Sequence, residues 1–193
     1  MPTRRRLSTL RLLSVPTRRE WRAWLRKHHK SETEIWLVFY KAHSGRSRIS
    51  YNDAVEEALC FGWIDSTVRR IDADRYAQKF SVRRRGSRYS QANIERLREL
   101  VKKGRVTRSV VATLGTILKK PFTIPPDILR AIKRDPEAWM NFQRLSASYI
   151  RIRIAFIEGA RKRPDVFKKR LRYFIKMTEK NKKFGFGGIE KYF

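Results

Sequence analysis

A chain of 193 residues and 23.1 kDa is long enough to bury one sizeable core or two small ones. Its 41% hydrophobic and 12% aromatic content, with five tryptophans, excludes global disorder in spite of a net charge of +29, from 47 Lys and Arg against 18 Asp and Glu. A pI near 11.2, with the excess spread along the chain, predicts attraction to polyanions such as nucleic acid, the plain alternative being a solvated surface adapted to high temperature or an acidic cytoplasm.

Residues 1–16 hold Arg4, Arg5, Arg6 and Arg11 among leucines, with no acid before Glu20, and read as a basic, disordered arm. Thr17-Arg18-Arg19-Glu20 has the form of a capping box and opens a helix over about residues 18–30, with Trp21, Trp24, Leu25 and His28 along one face. Ile35 to Tyr40 is a β-favouring apolar run, a strand buried on at least one face. Ser50 and Asp53 sit at capping distance ahead of Ala54, Val55, Ala58 and Leu59, so a second helix runs into Cys60-Phe61, where Gly62 stops it. Segments 63–71 and 75–82 form a hairpin across Asp72-Ala73-Asp74, and with the Ile35 strand they make a small antiparallel sheet.

Ser90 caps a helix carrying Ile94, Leu97, Leu100 and Val101, and Gly104 ends it. A further helix behind Thr107 carries Val110, Val111, Leu114, Ile117 and Leu118. Pro121, Pro125 and Pro126 then break the chain. Asp135-Pro136 is the N-cap and first position of a helix with Trp139 and Phe142, and Phe167, Leu171, Phe174 and Ile175 mark a last amphipathic helix. Between them Ile150 to Ile154 alternates like a strand, yet its spacing also fits a helix, and helical neighbours favour the helix. The expected organisation is therefore α+β, with the arm at 1–16, an α+β domain at 17–118, a proline-containing linker at 119–125, a helical domain at 126–180 and a flexible tail at 181–193.

Cys60 is the one cysteine, so no intramolecular disulfide forms and the chain reads as cytoplasmic. Between Leu59 and Phe61 the thiol is expected to be buried and inert. His28, His29 and His43 lack a metal-ligand spacing, so no metal or other cofactor is expected. No apolar run reaches the length of a membrane span.

The densest cluster of unusual residues is Ala58-Leu59-Cys60-Phe61-Gly62-Trp63-Ile64-Asp65, followed by residues 80–93, with an arginine-serine-asparagine loop. These strings, with Trp24-Leu25, the 36–41 strand and Asp135-Pro136-Glu137-Ala138-Trp139, make the chain resemble the YdeI/OmpD-associated family, also described as bacteriocin-protection proteins. The likeness covers about residues 17–180. It implies an α+β domain similar to the YjbR/CyaY-like group followed by a small helical domain, and the family's names point to stress or antimicrobial tolerance without bringing catalytic residues or a cofactor. The chain departs from the pattern at Val82, where relatives have proline before the arginine pair, and at Tyr89, where they have tryptophan.

Two binding readings remain open on these residues. In the first, Arg83, Arg84, Arg85 and Arg88 hold phosphates of nucleic acid or another polyanion, and Tyr89 or Trp63 offers a stacking face. In the second, a small-molecule or peptide pocket lies where the Gly62 turn meets the 83–93 loop. Asp65 would anchor Arg69 or Arg83 there, with Ser87, Ser90 and Asn93 supplying directional hydrogen bonds. The corresponding structural roles are a solvated basic loop, an Asp65–arginine ion pair and a helix cap at Ser90 and Asn93. No triad, carboxylate pair or metal set points to catalysis.

Overall fold

In the computed structural model, which describes residues 10–185, the Thr17–Glu20 capping box is formed in full: the Thr17 side chain accepts from the Glu20 amide and the Glu20 carboxylate from the Thr17 amide. It starts helix α1 (Arg18–His28). Strand β2 (Glu34–Tyr40) follows, and all five of its central residues, Ile35 to Phe39, are buried. Helix α2 (Tyr51–Cys60) is capped by Ser50, which accepts from the Asp53 amide. It ends where Gly62 takes a left-handed φ of 76°, which turns the chain into β3 (Trp63–Arg70). The hairpin partner of β3 is β4 (Arg75–Val82), with a bulge between Asp65 and Val68.

With Leu12–Leu13 as β1, the sheet order is β1-β2-β4-β3, and the sheet is mixed rather than wholly antiparallel. The difference lies at the N-terminus. Leu12–Leu13 forms strand β1, parallel to Trp36–Leu37, so these residues of the expected arm are ordered by the free edge of β2. Residues 1–9 of that arm lie outside the described residues.

Beyond the sheet come α3 (Gln91–Lys102), α4 (Arg108–Leu114), α5 (Pro126–Lys133), α6 (Pro136–Gln143), α7 (Ala147–Glu158) and α8 (Pro164–Glu179). Helix α4 stops at Gly115, so Ile117 and Leu118 lie past it, and Val111 faces solvent. Helix α5, unanticipated from the proline-rich stretch, uses Pro126 as its first residue and buries Ile128 and Ile132. The Ile150–Ile154 segment is helical, as the apolar spacing favoured, and buries Tyr149, Ile152, Ile154 and Ile157.

The chain divides into two compact units, Met1–Arg88 with Glu99–Gly115 and Tyr89–Arg98 with Thr116–Phe193. Along the chain the unit changes between Arg88 and Tyr89, within α3 between Arg98 and Glu99, and again after Gly115. The first unit's core joins α1, α2 and the sheet through Trp21, Leu25, Leu37, Leu59, Trp63 and Phe80, all essentially without exposure. Trp21 stacks on Trp24 and donates its indole N–H to the Ala54 carbonyl at 3.0 Å. The second unit's core is Ile128, Ile132, Phe142, Tyr149, Ile154, Ile157 and Phe174, with Trp139, Phe167 and Leu171 packed against it.

Phe184, in the tail expected to be flexible, also packs there. Its amide donates to the Tyr149 hydroxyl at 3.0 Å and its ring meets Tyr173 edge-on at 4.8 Å. An aromatic side chain and a satisfied amide together hold this residue in place. Residues 186–193 lie outside the described residues.

Candidate functional site

The Gly62 turn and the arginine loop that follows β4 do come together, since the Arg83 amide donates to the Gly62 carbonyl at 2.9 Å. From there the loop closes on itself. The Ser87 amide and hydroxyl both donate to the Arg84 carbonyl, at 3.1 and 2.7 Å, and Arg83 Nη2 donates to the Ser87 carbonyl at 2.6 Å. Gly86, at φ 76°, makes this tight turn accessible. Arg84, Arg85 and Arg88 stand exposed around it and form no ion pair among the described residues.

The other expected site residues are engaged in the fold. Trp63 is fully buried and its indole N–H donates to the His29 carbonyl at 3.2 Å, so it offers no stacking face. The Asp65 carboxylate accepts from the Tyr51 hydroxyl at 2.6 Å in place of the expected arginine partner. The β3–β4 bulge beside Asp65 shifts the register between that residue and the Val68–Arg70 stretch. Arg69 lies with its guanidinium 5.1 Å from the centroid of the Trp36 ring, a cation–π contact. In the second unit, Ser90 accepts from the Asn93 amide at 3.3 Å, and the Asn93 side chain accepts from Arg96 at 2.9 Å. Those two residues therefore act as the cap of α3. Tyr89 is half-buried at the start of that unit.

Two features escaped the sequence reading. The first is an ionic cluster inside the first unit. Glu57, on α2, is entirely buried and accepts from Arg18 Nε at 2.5 Å, Arg105 Nη2 at 2.5 Å and Arg22 Nη1 at 2.6 Å. Arg18 also pairs with Asp53 at 2.5 Å and with Glu56 at 3.0 Å. Burial opposes charge on Arg18 and Arg22, but the Glu57 carboxylate outweighs it and raises both guanidinium pKa values above their ordinary range. Cys60 sits one helical turn away. Burial first, and the Glu57 charge second, push its thiol up to about 11, which makes it a poor nucleophile. With its carboxylates paired to arginines and its thiol protonated, the cluster is a structural centre.

The second is the solvent face of α8. Lys168, Arg172, Lys176 and the C-cap residue Lys180 recur at every fourth residue, and all four are exposed, with Lys169 and Tyr173 on the adjoining row. The lysines and Arg172 form no ion pair among the described residues, and Tyr173 is half exposed. At about 1.5 Å rise per residue, the row places one cation roughly every 6 Å over about 18 Å.

Among the described residues no cluster of His, Cys, Asp and Glu has a metal-binding arrangement, and no helix is long and apolar enough to cross a membrane. No curated protein and no solved structure matches the chain. Family models do. Residues 121–181, from the proline stretch through α8, match the model described as Bacteriocin-protection, YdeI or OmpD-Associated. Residues 13–113, more than half of the chain and including the Ala58–Asp65 string, match the model described as Domain of unknown function (DUF8412). The chain thus belongs to the family of that domain of unknown function, and a later segment of it matches the YdeI/OmpD-associated model.

Proposed function

We propose that this protein is a non-enzymatic polyanion binder whose ligand is nucleic acid, held through phosphate contacts with little sequence preference. The observation that carries the reading is the α8 row of Lys168, Arg172, Lys176 and Lys180, an evenly spaced line of cations with no acid partner among the described residues. A regular cationic row suits a regularly charged polymer better than a compact anion, because each added contact releases a further counterion. Tyr173 beside the row supplies an exposed ring for an unpaired base. In the other unit, Arg84, Arg85 and Arg88 supply a second phosphate contact, as guanidiniums on a turn that needs no ligand to hold its shape. A cytoplasmic place and a part in stress or antimicrobial tolerance accord with this reading, the latter supported by the words of the YdeI/OmpD-associated description.

Fluorescence anisotropy with labelled duplex DNA across a salt series tests it. Binding at about 50 mM salt should weaken by orders of magnitude toward about 200 mM. The Lys168→Ala/Arg172→Ala/Lys176→Ala variant should flatten the log K against log salt slope by about 2 to 3, since each duplex phosphate contact contributes roughly 0.9. No binding at the low salt, or an unchanged slope in the variant, refutes the assignment.

A further inference from the structure

The second unit contains a groove of about 500 Å³ between α3, the 118–124 stretch and the start of α7. This volume falls within the range of small-molecule sites. Its walls are of two kinds. Leu118, Pro121, Phe122, Ile124, Ala147 and Ile150 are apolar, whereas Arg98, Lys120 and Arg151 are cationic.

Two of these cations are held by a buried acid. Glu95 accepts from Arg151 Nε at 2.8 Å and Nη2 at 2.6 Å, from Arg98 Nη1 at 2.6 Å and from Gln91 at 2.6 Å. Arg98 Nε donates to the Leu118 carbonyl at 2.9 Å. One carboxylate thus fixes two guanidiniums without neutralising both. Arg98 Nη2 and Arg151 Nη1 make no hydrogen bond among the described residues, and Lys120 forms no ion pair there. Glu95 and the three cations together leave a net charge of about two positive units at the groove. The donors are oriented before any ligand arrives, which lowers the ordering cost of binding.

We infer that this groove binds a small amphipathic carboxylate, a molecule with a hydrocarbon or aromatic body and one acid group. The planar acid suits the unoccupied guanidinium N–H groups and the Lys120 ammonium, and its body suits the Phe122, Ile124 and Ile150 wall. A phosphate chain would meet too few polar partners on that wall, and a neutral apolar molecule would leave the cations without a counter-charge. The inference does not depend on nucleic-acid binding, because none of these residues belongs to the α8 row.

Calorimetric titration of the full chain with decanoate tests it, alongside acetate, which lacks the body, and decanol, which lacks the charge. Decanoate should bind at one site, at least tenfold more tightly than either control. Lys120→Ala removes one exposed cation and should weaken decanoate about fivefold. Ala147→Trp places a large ring at an exposed groove position and should abolish binding with the melting temperature kept. Because two variants at exposed positions report on the groove, misfolding of one leaves the other decisive. Equal binding of decanol, or decanoate affinity unchanged in a folded Ala147→Trp protein, overturns the inference and assigns the uptake to the basic surface at large.

Discussion

Replacing Glu57 by alanine tests whether the buried cluster holds the first unit together. The carboxylate has no exposure and receives three guanidiniums, so its removal withdraws the counter-charge of Arg18, Arg22 and Arg105 at once. Breaking a fully buried pair costs about 3–5 kcal/mol, because the partner is left charged and poorly solvated. Here the arginine side chains retain 24–35% exposure, so water partly replaces the lost partner. Arg18 keeps Asp53 and Glu56, and Arg22 keeps the Arg105 carbonyl. The loss should therefore lie at the lower end, about 3 kcal/mol, or roughly 12–20 °C in the melting of a unit this size. Urea unfolding followed by circular dichroism measures it, with Glu99→Ala as the control. Among the described residues Glu99 pairs with Lys102 alone, on the surface, and its loss should stay within about 0.5 kcal/mol. A Glu57→Ala cost below about 1 kcal/mol, or one no larger than the control's, would refute the structural role.

The second unit should lose stability in acid through Glu95. Burial alone would raise its pKa, but hydrogen bonds from Arg151 and Gln91 and the charge of Arg98 hold it below the ordinary value of 4.5. A depressed carboxylate contributes stability above its unfolded pKa that is lost as pH falls through the folded one. Unfolding free energy should thus be flat above about pH 5 and decline below it, and an identical decline in Glu95→Gln would assign the effect elsewhere. Native protein at pH 8 should react with a chromogenic disulfide reagent only as fast as it unfolds, since the Cys60 thiol sits near 11; rapid native labelling would contradict its burial. Gly62→Ala should cost roughly 1–2 kcal/mol, because φ is 76° and a Cβ would stand 3.2 Å from Val110 Cγ2; an unchanged denaturation midpoint would show that the turn relaxes.

What the sequence made legible was local. A capping box, a hairpin with a polar turn and a glycine after a helix each specify their geometry within a few residues, and Thr17, Asp72–Asp74 and Gly62 behave accordingly. Strand β1 was hidden because two leucines carry no pattern of their own and are ordered by the edge of β2. Glu57 was hidden because glutamates in a helix are read as its wet side. The signal was nonetheless present, since Glu57 lies three residues from both Ala54 and Cys60 and therefore on the buried stripe. Its partners come from 35 to 48 residues away, beyond any local rule. The Asp65 partner was hidden likewise, since Tyr51 lies on the preceding helix. The α8 row needed only the four-residue spacing, which the stronger apolar pattern on the same helix masks.

The distribution of the acids explains why so basic a chain folds and why its surface is so strongly cationic. Among the described residues most carboxylates are held by a cation or serve as a helix cap, from the buried Glu57 and Glu95 to the half-exposed Asp127 and Glu158. Glu57 and Glu95 pair with part-buried arginines, Glu20 and Asp135 cap helices, and Asp72, Asp127 and Glu158 bind arginines near turns or helix ends. A part-buried guanidinium stripped of such a partner carries a desolvation cost. These pairings occupy most of the acids, and the remaining lysines and arginines, those of α8 and the 84–88 loop among them, face water with little opposing charge. Removing one surface cation should accordingly raise stability slightly, by easing repulsion, and lower affinity for a polyanion. Removing one internal acid does the reverse, and that opposition of signs separates the scaffold of this protein from its binding surface.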